Sequence, residues 1–162
     1  MRDRSKSVKP LSPAEVLEED VDALFMVWLV SRSTTDLLDS VLAPAGLTAD
    51  EFAIYSVLTA APTITPTELA RWMAAPATTV SSYVKRLEGR GHVTRERNPD
   101  DGRSSLIRLT PAGRKAHQAA ARLFLPVRSA VAAGIDNQDI DMKEALLRLR
   151  VLIDGLRSPT SD

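Results

Sequence analysis

Arg95, Arg97, Arg103 and Arg108 fall within one short segment, R-E-R-N-P-D-D-G-R-S-S-L-I-R. Their chemistry is the binding of anions, and phosphate above all. Asn98-Pro99-Asp100-Asp101-Gly102 supplies turn formers, and Leu106, Ile107 and Leu109 are apolar residues of strand type. The spacing predicts a β-hairpin with Arg103 at its tip. An ion pair on so projecting a turn would be worth little, about 0–1 kcal/mol. A guanidinium there is instead placed to enter a narrow, electronegative minor groove. Arg95, Arg97 and Arg108 on the arms would meet phosphates, and Asp100 or Asp101 would buttress one of the arginines.

Directly before the hairpin lies a second cluster, on a helix expected from about Pro76 to Arg90. At about 100° per residue, Val80, Val84 and Leu87 gather on one side and should pack inward. Thr78, Ser82 and Lys85 take the opposite side, with Thr79, Ser81 and Arg86 at its margins. In a helix lying in the major groove, N-terminal residues reach base edges while later cations meet phosphates. Ser and Thr discriminate bases weakly, so sequence choice falls to Lys85 or Arg86 at a guanine. Any surface helix has a polar outer face; the adjoining cationic hairpin is what turns the reading toward duplex DNA.

The elements that must position these residues are marked by their caps. Ser12-Pro13-Ala14-Glu15 and Thr65-Pro66-Thr67-Glu68 each give a hydroxyl cap, Pro at the first helical position and Glu at the third. Thr48-Ala49-Asp50-Glu51 repeats the box without Pro, and Thr110-Pro111 keeps cap and Pro without the acid. Helices are expected over about 13–42, 49–60, 66–73, 76–90 and 111–133, with a sixth from about Asp136. The third should bury Leu69 and Trp72. Its brief turn through Ala74 and Ala75 into the fourth makes a helix-turn-helix. The first is apolar on nearly every side between Val21 and Val30, as expected of a helix enclosed by others or by a second subunit. The sixth carries Leu146, Leu149, Ile153 and Leu156 at helical spacing. The fold class is mainly α with a small β-hairpin wing. Residues 1–11 and 158–162 are expected to be flexible tails around a single domain, 12–157.

At 162 residues the chain can bury a real core. Lys and Arg total 21 against 21 Asp and Glu, but the charges are segregated. Leu11 to Glu51 holds nine acids against Arg32 alone, whereas Thr65–Leu109 and Arg114–Arg157 each hold eight cations against five acids. An acidic lobe beside a cationic one suits a molecule that meets a polyanion. Without Cys there are no disulfides, thiolate metal sites or cysteine redox sensors. The basic first ten residues lack a following apolar stretch, and the run Ala23–Val30 is too short to span a bilayer, so a cytoplasmic protein with no membrane partner is expected.

The segment Arg71–Lys115, with G-H-V-T-R-E-R-N-P-D-D-G-R-S-S-L-I-R-L-T-P-A-G, resembles the winged-helix core of the MarR family of bacterial transcription regulators. The family pattern falls on Gly91, Val93 and Arg95, then Asp101 and Arg103, then Leu109, Thr110 and Gly113. The order of helices outside this segment is also similar. The resemblance implies a homodimer with one winged helix per subunit. Helices 13–42, 111–133 and 136–157 would form an all-helical dimerisation lobe, and 48–109 a DNA-binding lobe with Arg103 in the minor groove. Gly102 departs from the family, where many members carry another Arg, implying a looser grip at the wing tip. The cysteine-based peroxide sensors of the family are excluded.

His92 and His117 have neither carboxylate partners nor metal spacing and read as structural or surface groups. Ser104-Ser105 has no partnered base and reads as wing edge. No cofactor is expected, and no enzyme, because converging acid, base or metal groups are missing. Trp28, Arg32, Phe52 and Tyr55 are candidate walls of a cleft between the two lobes, where the resemblance would put an effector. Aromatic walls with one guanidinium suit an aromatic or fatty carboxylate; the competing reading is plain core. The chain thus reads as a homodimeric, ligand-responsive repressor of a pseudo-palindromic, double-stranded DNA operator. The rival is a winged-helix protein-interaction module that does not bind DNA.

Overall fold

The computed structural model describes residues 22–134 and 142–157. Helix α1 (Ala23–Leu42) starts at Asp22, whose carboxylate accepts the Leu24 N–H at 3.1 Å. This corrects the expected unbroken run from Pro13. Asp22, with ψ 135°, is not helical and caps α1, while the Ser12-Pro13 signal lies outside the described residues. A 3-10 turn (Ala43–Ala45) ends at Gly46, whose φ of 67° suits a residue without Cβ. Helix α2 (Ala49–Ala60) then departs at 79°. No single described helix is long and apolar enough to cross a membrane.

Both capping boxes form as their spacing requires. The Thr48 hydroxyl accepts the Glu51 N–H, and the Glu51 carboxylate accepts the Thr48 N–H, each at 3.2 Å. Thr65 and Glu68 do the same at the start of α3 (Pro66–Trp72). Helix α3 buries Leu69 and Ala70, but Trp72 is 57% exposed, contrary to expectation. Leu69 and Ala70 fill the inward face of so short a helix, and it ends at Trp72.

The turn out of α3 is a Schellman closure, with Ala74 N–H bonded to Arg71 C=O and Ala75 N–H to Ala70 C=O. Ala74 therefore takes a φ of 49°. That left-handed conformation costs a Cβ-bearing residue about 1–2 kcal/mol. Helix α4 (Ala77–Gly89) closes the same way, through Gly91 at a φ of 70° and the His92 N–H on Leu87 C=O. Strands β1 (Val93–Arg97) and β2 (Ser105–Leu109) pair antiparallel, Val93 opposite Leu109 and Arg97 opposite Ser105. An unanticipated bridge adds Ile64 beside Ile107, whose N–H reaches Ile64 C=O at 2.8 Å. It ties the base of the wing to the linker before α3.

Helix α5 (Pro111–Gly134) and helix α6 (Met142–Arg157) complete the described elements. The expected start of the last helix near Asp136 lies outside the described residues. The chain divides after Ala121 into two compact units. The first has a core of Leu42, Ile54, Tyr55, Leu58, Leu69, Val80, Val84, Leu87 and Ile107. Val80, Val84 and Leu87 are buried as their helical spacing required. In the first unit α1 leaves Leu24, Phe25, Trp28 and Leu37 exposed. In the second, α6 exposes Val151 at 70% and Leu156 at 87%.

Both histidines are half-buried and held by polar contacts. His92 Nδ1 lies 2.7 Å from the Tyr55 hydroxyl, and His117 bridges Ser56 and Thr59 of α2 at 3.2 Å each while packing on Phe52. Burial pushes the His117 imidazole below its ordinary value of 6.5, because the charged form loses solvation. The unfolded chain therefore takes up this proton first as pH falls. His117 contributes stability that is complete above about pH 6.5 and is lost progressively below it, down through the depressed folded value. Melting temperature should thus decline from about pH 7 to about pH 5, and decline less steeply in His117→Gln. Parallel pH profiles for the two proteins would remove His117 from the acid response.

Candidate nucleic-acid interface

Helix α4 and the wing lie in the same compact unit and are fixed to each other by the Gly91–His92 closure and by an ion pair. Arg95 Nε sits 3.0 Å from the Glu88 carboxylate, linking β1 to the last turn of α4. On α4, Thr78, Thr79, Ser81, Ser82, Lys85 and Arg86 are all exposed, as predicted. The Ser82 hydroxyl donates to Thr78 C=O at 3.0 Å, so in this conformation its proton is used within the helix.

The cations divide into two groups that the sequence did not distinguish. Arg86 and Arg90 both reach Glu51, Arg95 reaches Glu88, and Arg108 reaches Glu96 at 2.9 Å. Among the described residues Lys85, Arg97 and Arg103 have no ion pair. An unpaired, exposed cation can meet a phosphate without first giving up a protein partner. A paired one must share or exchange, which lowers the net gain.

The wing tip is rigid in its own right. Asn98 N–H bonds Ser104 C=O at 3.2 Å, Asp100 N–H bonds Asn98 Oδ1 at 3.0 Å, and Asn98 Nδ2 donates to Ser104 Oγ at 2.8 Å. Asp101 does not buttress an arginine side chain as expected. Its carboxylate accepts the Arg103 backbone N–H at 3.0 Å and its carbonyl accepts Ser104 N–H, so it shapes the loop that holds Arg103 out. A Cβ at Gly102 would lie 2.9 Å from Arg97 Nη2, the far end of an exposed side chain that can swing aside. Between the wing tip and the first turn of α3 runs an open groove lined by Thr67, Asn98, Arg103 and Ser105.

Sequence reasoning missed Glu51, Arg90 and Tyr83. Glu51 is only 1% exposed, although its spacing marked it as a cap. Arg86 Nε lies 3.2 Å from Oε1 outside hydrogen-bond geometry, so that oxygen is charge-paired without a directed bond. Arg90 Nη1 donates to Oε2 at 3.2 Å. The Tyr83 hydroxyl donates to Asp50 at 2.6 Å. This bond with a carboxylate, followed by burial, raises the Tyr83 phenol above its ordinary range. The available signal was the recurrence of Tyr83, Arg86 and Arg90 at helical spacing, one stripe beside the reading face.

The four candidate effector walls are divided by burial. Tyr55 is fully buried against His92, and Phe52 is buried against His117, so both are core. Trp28 stacks on Phe25 with centroids 5.7 Å apart on an open stretch of α1, where Arg32 is also exposed. For Phe52 and Tyr55 this burial agrees with the competing reading of plain core, a distinction that helical spacing cannot make between an aromatic facing a cleft and one filling a core.

Residues 45–104, from the turn before α2 to the wing, match the model of the MarR family. The chain is 28% identical over 102 residues to the multiple antibiotic resistance protein MarR of Salmonella typhimurium, covering 63% of this chain and 71% of that protein. It is 29% identical over 98 residues to an HTH-type transcriptional repressor of Mycobacterium bovis, covering 60% and 70%. The crystal structure of the M. tuberculosis transcriptional regulator MOSR in complex with DNA superposes with a TM-score of 0.73 at 25% identity, over 85% of this chain and all of that one. The helix-turn-helix and wing within residues 45–104 are thus similar to those of the MarR family.

Proposed function

We propose that the protein is a transcriptional repressor that binds a pseudo-palindromic duplex operator as a homodimer and acts in the cytoplasm, without catalysing a reaction. One observation carries this reading: the hydroxyl face of α4 and the unpaired Lys85, Arg97 and Arg103 occupy one unit whose wing is held by its own hydrogen bonds. A helix for the major groove and a finger for the minor groove are thereby preset, and little ordering cost remains for binding. Thr78, Thr79, Ser81, Ser82, Lys85 and Arg86 would face the major groove, with Arg97 and Arg103 on the wing. Arg95 is bound to Glu88 and serves the wing's attachment before it serves phosphate.

The exposed apolar rows on α1 and on α6 support the dimer, since a second copy is the occupant that also brings a second recognition helix. Two such helices read half-sites roughly 34 Å apart. The single domain over 12–157, with 48–109 as the DNA-binding part, belongs to this reading, and so does relief by a small carboxylate effector. The test is a fluorescence-anisotropy titration against DNA upstream of the protein's own gene. Log affinity should fall linearly as log salt rises, through release of condensed counterions. Salt-independent retention, or none on any duplex at low salt, would exclude operator binding.

A further inference from the structure

Tyr83, Arg86 and Arg90 form a stripe on α4 turned toward the first turn of α2. The three are held there by Asp50 and Glu51 at 2.6 Å, 3.2 Å and 3.2 Å respectively. Measured around the helix from Thr78, Arg90 and Tyr83 lie at about 120° and about 140°, but Arg86 lies at about 80° and only about 40° from Ser82. Arg86 is thus the anchored residue nearest the reading face. Its guanidinium is charge-paired with Glu51, Nε lying 3.2 Å from Oε1 without a directed bond, and sits against the Tyr83 ring at 4.8 Å, while its side chain remains 49% exposed. Its two Nη groups have no partner among the described residues.

Glu51 carries more than its cap demands. A capping box accepts Gln as readily as Glu at its third position. Burying a charge is expensive unless cations compensate it. The negative charge of Glu51 therefore exceeds what capping α2 requires, and what it meets is two arginines of the recognition helix.

We infer that Glu51 is a positioning residue for base recognition. From the core its charge draws the Arg86 guanidinium toward α2 and against the Tyr83 ring, which leaves the free Nη edge to meet a guanine. By the same charge it restrains Arg86 from pairing with phosphates indiscriminately. The inference rests on the operator-binding reading of α4. Glu51 acts on specificity rather than on affinity in general.

The test uses Glu51→Gln, which keeps the cap acceptor and removes the charge. The full-length wild type first enriches a duplex from a randomised pool, and binding is then compared on that duplex and on a shuffled one. The variant should bind the enriched duplex more weakly and the shuffled duplex as well or better, so that the specificity ratio falls by about tenfold, the worth of one bidentate base contact. Partial unfolding lowers the active fraction on both duplexes alike and leaves the ratio unmoved. Arg86→Ala should lower the same ratio, and adding Glu51→Gln to it should lower it no further. An unchanged ratio in Glu51→Gln, or losses that simply add in the double variant, overturns the inference while operator binding stands. Failure of the wild type to enrich any duplex overturns both.

Discussion

Replacing Arg103 with Ala is expected to lower operator affinity by about 1–3 kcal/mol, roughly five- to 150-fold, and to leave the fold intact. In the free protein this side chain does nothing structural. Arg103 is exposed and has no ion pair among the described residues, and the loop around it is closed by Asn98, Asp101 and Ser104. Asp101 holds the backbone N–H of residue 103, which Ala also supplies. Truncation therefore removes a guanidinium from a preset position without loosening the finger that carried it. Arg108→Ala makes the contrast, because its guanidinium is already committed to Glu96 and less of its charge is available to DNA. Anisotropy titration read beside a thermal melt separates the two effects. Unchanged binding by Arg103→Ala would take the wing out of the mechanism.

Gly113→Ala is expected to destabilise the protein by about 3 kcal/mol or more, through overpacking that no side-chain rotation can relieve. Gly113 is buried in the first turn of α5, where Thr110 caps the helix. The Thr110 hydroxyl accepts Gly113 N–H at 3.0 Å and donates to Gly91 C=O at 2.7 Å, and Thr110 N–H reaches His92 C=O at 3.0 Å. The start of α5 is thereby stitched to the exit of α4. A Cβ on residue 113 would overlap the His92 carbonyl oxygen and crowd Leu109. Both neighbours are held, one by the backbone closure of α4 and the other in strand register with Val93. For a chain of this size the loss corresponds to a fall in melting temperature of roughly 6–12 °C. A melt within about 2 °C of wild type would show that the junction can open at little cost. Because this junction sets the angle between α4 and the wing, operator binding should fail in the same variant well below its melting point.

How much of this was legible beforehand depended on range. Capping boxes at Thr48 and Thr65, the turn at Asn98–Gly102 and the inward face of Val80, Val84 and Leu87 are written in residues at most a turn or two apart. Backbone geometry converts such spacings into structure almost wherever they occur, so most helix bounds and the fold class followed from the chain alone. The wing motif and the positions of Thr78, Ser82, Lys85 and Arg103 were local in the same sense. Tertiary structure decided the partners. Glu51 looked like a cap and became a buried counter-charge to Arg86, far along the chain, while His92 and His117 closed polar contacts with α2 that no spacing announces. It also sorted Arg95 and Arg108 from Arg97 and Arg103, and it made Phe52 and Tyr55 core. Which cation is free and which is tethered depends on an acid brought alongside by folding, and that proximity is a property of packing that a one-dimensional order of residues does not contain.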